Sequence, residues 1–95
     1  MIVILVEHFL NEEGQQFFPQ WVRQTEAVIQ KYEGFIALRQ LQAVNNPHAC
    51  HLLIEFENPE LLKKWSSSAE HKEYIDDMLE PYRLKPHQAQ MFKVV

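Results

Sequence analysis

The 95-residue sequence is short of residues on which several protein classes depend. Cys50 is the only cysteine, so the chain forms no internal disulfide and gives no sign of an oxidising compartment. Two glycines are too few for a glycine-rich loop that holds the phosphates of a nucleotide cofactor. The apolar run Ile2–Val6 ends at Glu7 and His8, and no basic segment precedes it. We therefore expect no signal peptide, no membrane-spanning helix and a cytoplasmic location.

Positive charge is also scarce, because 9 Lys and Arg residues stand against 13 Asp and Glu residues. The formal net charge of −4 disfavours binding to nucleic acid or to an anionic membrane surface. The third predicted strand also lacks the Lys/Arg-Gly-aromatic pattern of RNA-binding ferredoxin-like domains. Apolar residues make up 46% of the chain, which is enough for the core of one domain over residues 1–95.

The spacing of apolar residues predicts the element order βαββαβ. The predicted strands cover residues 2–9, 35–44, 49–57 and 88–95. The predicted helices are a long one, from about Phe17 or Phe18 to Gly34, and two short ones over residues 59–80, followed by a linker between Pro81 and Pro86. The long helix is expected to start late because Pro19 fits best in a first turn. This order is typical of an α+β fold of the ferredoxin-like, split-βαβ type with an antiparallel sheet.

The segment between the third strand and the last helix contains the clearest local pattern. Asn58 is a predicted N-cap for the first short helix. Ser67, with Glu70 three residues later, predicts a capping box for the second one. The break between the two helices brings Trp65 and His71 towards the same apolar interior. That pair is the best lead to a functional site.

Both faces of the predicted sheet carry apolar side chains. Alternation along the first strand places Val3, Leu5 and Phe9 on one face and Ile2, Ile4 and Val6 on the other. The two crossover helices lie on the same side and cover only one face. We expect a second copy of the chain to cover the other face, which would make a homodimer, and we place Ile4 on that partner-facing side.

Several short patterns follow one another along nearly the whole chain. They are Glu33-Gly34-Phe35, Phe56-Glu57, Pro59-Glu60-x-Leu62, Trp65-x-x-Ser68-x-x-His71 and Met91-Phe92-Lys93-Val94-Val95. In these patterns the sequence resembles the antibiotic biosynthesis monooxygenase family of dimeric α+β barrels. The resemblance implies a homodimer with a pocket between sheet and helices in each subunit. It also implies a small-molecule activity, which in that family includes cofactor-independent oxygenation of quinol-like or polyketide aromatics and, in some members, haem degradation.

Haem degradation fits these residues poorly. The haem-degrading relatives use an asparagine late in strand one, a tryptophan on the short helix and an axial histidine further along. Trp65 matches the tryptophan, but Glu7 stands at the strand position and Ile75 at the position of the iron ligand. His71, a turn earlier, would have to replace that ligand. We therefore expect a protein without haem, flavin or bound metal, and keep haem degradation as a minor alternative.

The candidate catalytic groups are His71 and Glu7. An ordinary imidazole has a pKa of about 6.5, which suits a general acid or base acting on a phenolic substrate. In the competing interpretation His71 only hydrogen-bonds a backbone carbonyl or Ser68. Glu7 suits proton abstraction if the helices cover its face, and is otherwise a solvated strand-end residue. The predicted aromatic walls of the pocket are Trp65, Trp21 and Tyr74.

The other histidines give weaker signals. His48 and His51 flank Cys50, but they point to opposite faces of a strand and no second ligand pair lies nearby, so a metal site is not predicted. His8 and His87 lie near strand ends and are expected at the surface. The leading hypothesis is thus a cofactor-independent monooxygenase that binds an aromatic or quinone-like molecule. The alternative is a non-catalytic ligand-binding or scaffold protein of the same fold, which differs in having no base within reach of the pocket.

Overall fold

Four strands and three helices make up the fold, in the order predicted from the sequence. The computed structural model describes residues Met1–Val95. The strands are β1 (Ile2–Leu10), β2 (Phe35–Ala43), β3 (Asn46–Phe56) and β4 (Arg83–Lys93). The helices are α1 (Glu12–Ile29), α2 (Pro59–Ser66) and α3 (Ala69–His71), which continues as a π-helix over Lys72–Asp77 and a 3₁₀ turn over Glu80–Tyr82. None of the helices has the length and apolar character needed to cross a lipid bilayer.

The strands form one antiparallel sheet in the order β2-β3-β1-β4. This arrangement confirms the predicted α+β, ferredoxin-like architecture. Residues at even positions of β1 are buried beneath the helices: Ile2, Ile4, Val6, His8 and Leu10. Ile4 is therefore a core residue, and its placement on the partner-facing side was wrong. The half-buried residues Val3 and Leu5 lie on the face that the helices leave open.

α1 begins earlier than the sequence suggested. The Asn11 side chain accepts a 2.9 Å hydrogen bond from the backbone N–H of Gly14 and caps the helix at Glu12. Pro19 lies inside the helix, where its missing N–H removes one helical hydrogen bond. The cap and the buried apolar side of the helix outweigh that loss, so the predicted start near Phe17 or Phe18 was wrong.

Each of the two short helices, α2 and α3, begins at a side-chain N-cap. Asn58 accepts a 2.9 Å hydrogen bond from the backbone N–H of Leu61, as predicted for an N-cap. The second cap is Ser68, whose Oγ accepts from the backbone N–H of His71 at 3.1 Å. The hydroxyl of Ser67 instead donates to a carbonyl of α2 at 2.7 Å. The capping box predicted for Ser67 and Glu70 was therefore wrong.

β4 occupies the segment predicted as a linker. It begins at Arg83 rather than at Gln88, so Pro86 lies inside the strand. β4 is an edge strand, and a proline is tolerated there because its missing N–H need not pair with a further strand. The pairing of β1 with β4 also shifts by one residue beside His8. Pro86 and His87 both stand opposite that single residue, which is the geometry of a β-bulge.

Candidate functional site

A cavity of about 260 Å³ lies between the sheet and the helices α2 and α3. Nine of its 13 lining residues are hydrophobic. β1 and β3 supply an aliphatic floor that includes Val6 and Leu52, and the helices supply Trp65 and Ile75. The polar lining consists of Ser66 and three histidines, His8, His71 and His87. An apolar space with a few polar groups is the usual form of a site for a small organic molecule.

The structure brings Trp65 and His71 together on this cavity. Their rings meet edge to face, with 5.3 Å between centroids. Trp65 is almost completely buried and also packs edge to face on Tyr32 at 5.1 Å. The Tyr32 hydroxyl donates a 2.8 Å hydrogen bond to Glu70, which ties α3 to the segment after α1. The indole is thus a fixed wall beside the imidazole of His71.

His71 is placed to exchange a proton with a molecule in the cavity. Its backbone N–H donates a hydrogen bond to the Ser68 hydroxyl oxygen. Its imidazole takes part in no hydrogen bond within the chain. Burial lowers the pKa of His71 below the ordinary 6.5, and the neighbouring His87 adds to this effect while Asp76 opposes it. A neutral imidazole at neutral pH can accept a proton. The geometry therefore suits a general base.

His8 is a cavity residue that the sequence interpretation placed at the surface. It is only 2% exposed and lies against Trp21, with 5.3 Å between ring centroids. Burial, together with the nearby His87 and Arg83, lowers its pKa from 6.5 to about 3. The signal that identifies it was present in β1, because His8 shares the alternation of the core residues Ile4 and Val6.

His87 owes its position to the β-bulge in β4. The bulge sets the His87 ring 5.1 Å from the ring of His8, on the rim of the cavity. The same side chain also borders an outer groove that contains Asp76 and Arg83. Burial lowers the pKa of His87, and Arg83 adds to this effect while Asp76 opposes it. The expectation that His87 is simply a surface residue was therefore wrong.

The remaining predicted site residues lie away from the cavity. Glu7 is on the open face of the sheet, where its Oε1 is 3.5 Å from Nε2 of His51. Glu7 was predicted to act as a base only if the helices cover its face, and they do not. Trp21 and Tyr74 do not line the cavity either. The Trp21 Nε1–H donates to the carbonyl of Tyr74 at 2.7 Å, so Trp21 links α1 to the π-helix behind His8.

A family model for antibiotic biosynthesis monooxygenases matches residues 1–77 of this sequence. The chain belongs to this family. The match covers β1 to the end of the π-helix and so includes His8, Trp65 and His71. It confirms the resemblance found in the sequence. No curated protein sequence matches the chain.

Solved structures of antibiotic biosynthesis monooxygenases and related proteins share the fold. A conserved protein from Methanosarcina mazei Go1 superposes with a TM-score of 0.85 at 21% identity, covering 97% of this chain and 90% of the other. An antibiotic biosynthesis monooxygenase gives a TM-score of 0.82 at 9% identity over 100% and 99% of the two chains. Rv0793 from Mycobacterium tuberculosis gives 0.83 at 6% identity over 99% and 94%. At these identities the likeness extends to the fold alone.

The cavity does not fit the haem used by some members of this family. Ile75 is a buried lining residue at the position where haem-degrading relatives have their axial histidine. A volume of about 260 Å³ is also small for a tetrapyrrole, since sites for drug-sized ligands span roughly 300–1,000 Å³. The chain contains no group of three or more His, Cys, Asp or Glu side chains arranged to hold a metal ion.

Proposed function

We propose that the protein binds a small phenolic aromatic molecule in the cavity beneath α2 and α3, and that His71 deprotonates it for reaction with O₂. Membership of the family supports a monooxygenase-like or small-ligand-binding protein. The observation that carries the finer proposal is the His71 imidazole, which lines an apolar cavity beside Trp65 without any hydrogen bond inside the chain. Its lowered pKa keeps it neutral and able to accept a proton.

The size of the cavity supports a ligand of one or two fused rings. A dry cavity of about 150 Å³ is enough to bind benzene, and the present one measures about 260 Å³. The Trp65 ring offers an aromatic surface for offset or edge-to-face packing. No Lys or Arg side chain lines the cavity, so it lacks a counter-charge for a carboxylate or phosphate. A neutral aromatic molecule with a weakly acidic hydroxyl fits these properties best.

The reaction follows from removing one proton in this environment. His71 takes the proton of the hydroxyl, and the resulting imidazolium stabilises the electron-rich phenolate beside it. A ring carbon of the phenolate forms a bond to O₂, and the hydroperoxide so formed loses water to leave a carbonyl. A hydroquinone and O₂ thus give a hydroxyquinone and water, and the substrate supplies all the electrons. The protein contributes the base, the orientation and a water-poor cavity.

Oxygen uptake by the wild-type protein tests this proposal. With hydroquinone or a related polyphenol we expect uptake above the spontaneous rate, measured with an oxygen electrode. With ¹⁸O₂ we expect one labelled atom in the product and the other in water, because a simple oxidase would release both atoms as hydrogen peroxide. Ligand binding without oxygen uptake would instead favour the non-catalytic alternative. A protein that neither binds nor oxidises any such compound would refute the proposal.

A homodimer completes the proposed assembly. Members of the family generally form homodimers. In this chain the open face of the sheet carries two apolar cross-strand pairs. Val3 of β1 stands opposite Phe92 of β4, and Leu5 of β1 stands opposite Leu53 of β3. Phe92 is 43% exposed in the isolated chain. Covering these side chains with a second copy would remove their apolar surface from water.

A charge on the open face is expected to dissociate the dimer. Light scattering at about micromolar concentration should give roughly twice the chain mass of 11.3 kDa for the wild type and the monomer mass for Leu5→Glu. Val44→Glu, at a fully exposed turn position, is the matched control and should remain dimeric. A monomeric wild type, or a dimeric Leu5→Glu, would contradict this assignment of the interface.

A further inference from the structure

We propose that His8 is the hydrogen-bond site for the hydroxyl group of the ligand, an assignment that rests on the proposed binding of a phenolic molecule in the same cavity. His71 then acts as the base, and His8 is a second recognition residue of the site. Its position near a strand end suggests no such role, but the alternation of β1 places His8 beneath the helices and on the cavity.

The ring nitrogens of His8 carry the argument, because neither has a hydrogen-bond partner in the chain. His8 is 2% exposed and lines the cavity. Nδ1 is completely buried, whereas Nε2 keeps some accessible surface and is the nitrogen that a molecule in the cavity can reach. Nearly all polar side-chain atoms inside folded proteins have a partner, so a histidine with two unpaired nitrogens is unusual. A molecule in that cavity can donate a hydrogen bond to Nε2 or accept one from it.

The surroundings of His8 hold its ring in place. Aromatic rings contact it from α1 and β4, with centroid distances of 6.1 Å to Phe18, 5.3 Å to Trp21 and 5.1 Å to His87. Trp21 is itself fixed by its 2.7 Å hydrogen bond to the Tyr74 carbonyl. A polar group held in this way loses little conformational freedom on binding, so it can discriminate between ligands efficiently.

The chemistry of the ring defines the ligand group. A pKa of about 3 keeps the imidazole neutral at physiological pH, with one donor nitrogen and one acceptor nitrogen. A phenolic hydroxyl both donates and accepts, so it can pair with His8 in either tautomer. An aryl ether cannot donate, and an unsubstituted ring can do neither. The cavity should therefore prefer hydroxylated aromatics to otherwise similar ligands.

Binding of 2-naphthol and naphthalene separates these effects. We expect the wild type to bind 2-naphthol about five- to tenfold more tightly than naphthalene, as measured by quenching of tryptophan fluorescence. His8→Phe keeps an aromatic ring without nitrogens, so it should lose this preference while still binding naphthalene. His8→Gln retains a donor and an acceptor and should keep part of the preference. His48→Phe, at an exposed position, is the control and should behave as the wild type.

Each outcome bears on a specific claim. A wild type that binds both ligands equally, or a His8→Phe variant that keeps the full preference, would overturn the role of His8 and leave the cavity as an aromatic site. A wild type that binds neither ligand would overturn the proposed function, and this inference with it. If His8→Phe fails to fold, the folded His8→Gln variant decides. A smaller preference for 2-naphthol than in the wild type would support the role of His8. An unchanged preference for 2-naphthol over both naphthalene and 2-methoxynaphthalene would need a different hydroxyl partner and would refute it.

Discussion

Alanine in place of His71 is expected to slow oxygen uptake with a phenolic substrate by about a hundredfold or more, the usual effect of losing a general base. Folding should change little, because Ser68 caps α3 through the backbone N–H of His71, which the variant keeps. The imidazole has no hydrogen-bond partner that would be left unpaired. The edge-to-face contact with Trp65 is lost, which should cost about 1 kcal/mol or less of unfolding free energy.

The pH dependence and chemical rescue give this prediction two further tests. Because the base must be neutral, kcat/KM of the wild type should be constant at neutral pH and fall tenfold per pH unit below a pKa that lies under 6.5. Added imidazole should restore part of the activity of His71→Ala by entering the space that the substitution leaves. His48→Ala, an exposed histidine variant, should retain full activity. A destabilised His71→Ala with unchanged turnover would show that His71 is a structural residue.

The residues of β1 show what the sequence could and could not predict. The alternation of apolar residues predicted the strand and, through the order of elements, the ferredoxin-like fold. The same alternation puts His8 with Ile4 and Val6 beneath the helices and Glu7 on the open face. Closeness to the strand end suggests a surface position for His8, but its even position in the alternation of β1 is the more informative property. The sequence does not determine which face the helices cover, since both are largely apolar, and for this reason the placement of Ile4 on the partner-facing side was wrong.

Other parts of the site depend on tertiary structure. His87 reaches the cavity only because a bulge sets it and Pro86 opposite one residue of β1, and the proline pattern instead predicted a linker. Trp21 was predicted as a wall of the pocket, and it is buried but does not line the cavity. A buried ring can either border a cavity or fill the space behind it. For Trp21 the hydrogen bond to the carbonyl of Tyr74, which lies far along the chain, fixes the ring behind the cavity. Local patterns do not contain that information.

Acid is expected to destabilise the protein through His8. The pKa of this histidine is about 3 in the folded state and near 6.5 in the unfolded chain. Between these values the unfolded state binds one more proton, so the free energy of unfolding decreases as the pH falls. Stability is complete above pH 6.5, declines by up to about 1.4 kcal/mol per pH unit and has lost roughly 4 kcal/mol at pH 3. The lowered pKa values of His71 and His87 act in the same direction.

Urea unfolding of the wild type and His8→Gln at several pH values measures this contribution. All samples should have the same protein concentration, because the apparent stability of a dimer depends on concentration. Between pH 6.5 and 5 the wild type should lose about 1.6 kcal/mol more than His8→Gln, a large share of the roughly 5–15 kcal/mol that stabilises a typical domain. This window lies above the usual titration of carboxylates, so the difference isolates the histidine. His48→Gln is the control and should lose as much as the wild type, because His48 is exposed in the folded state. Equal acid sensitivity of the wild type and His8→Gln would show that His8 can be protonated inside the folded protein, and would remove the neutral imidazole on which its recognition role depends.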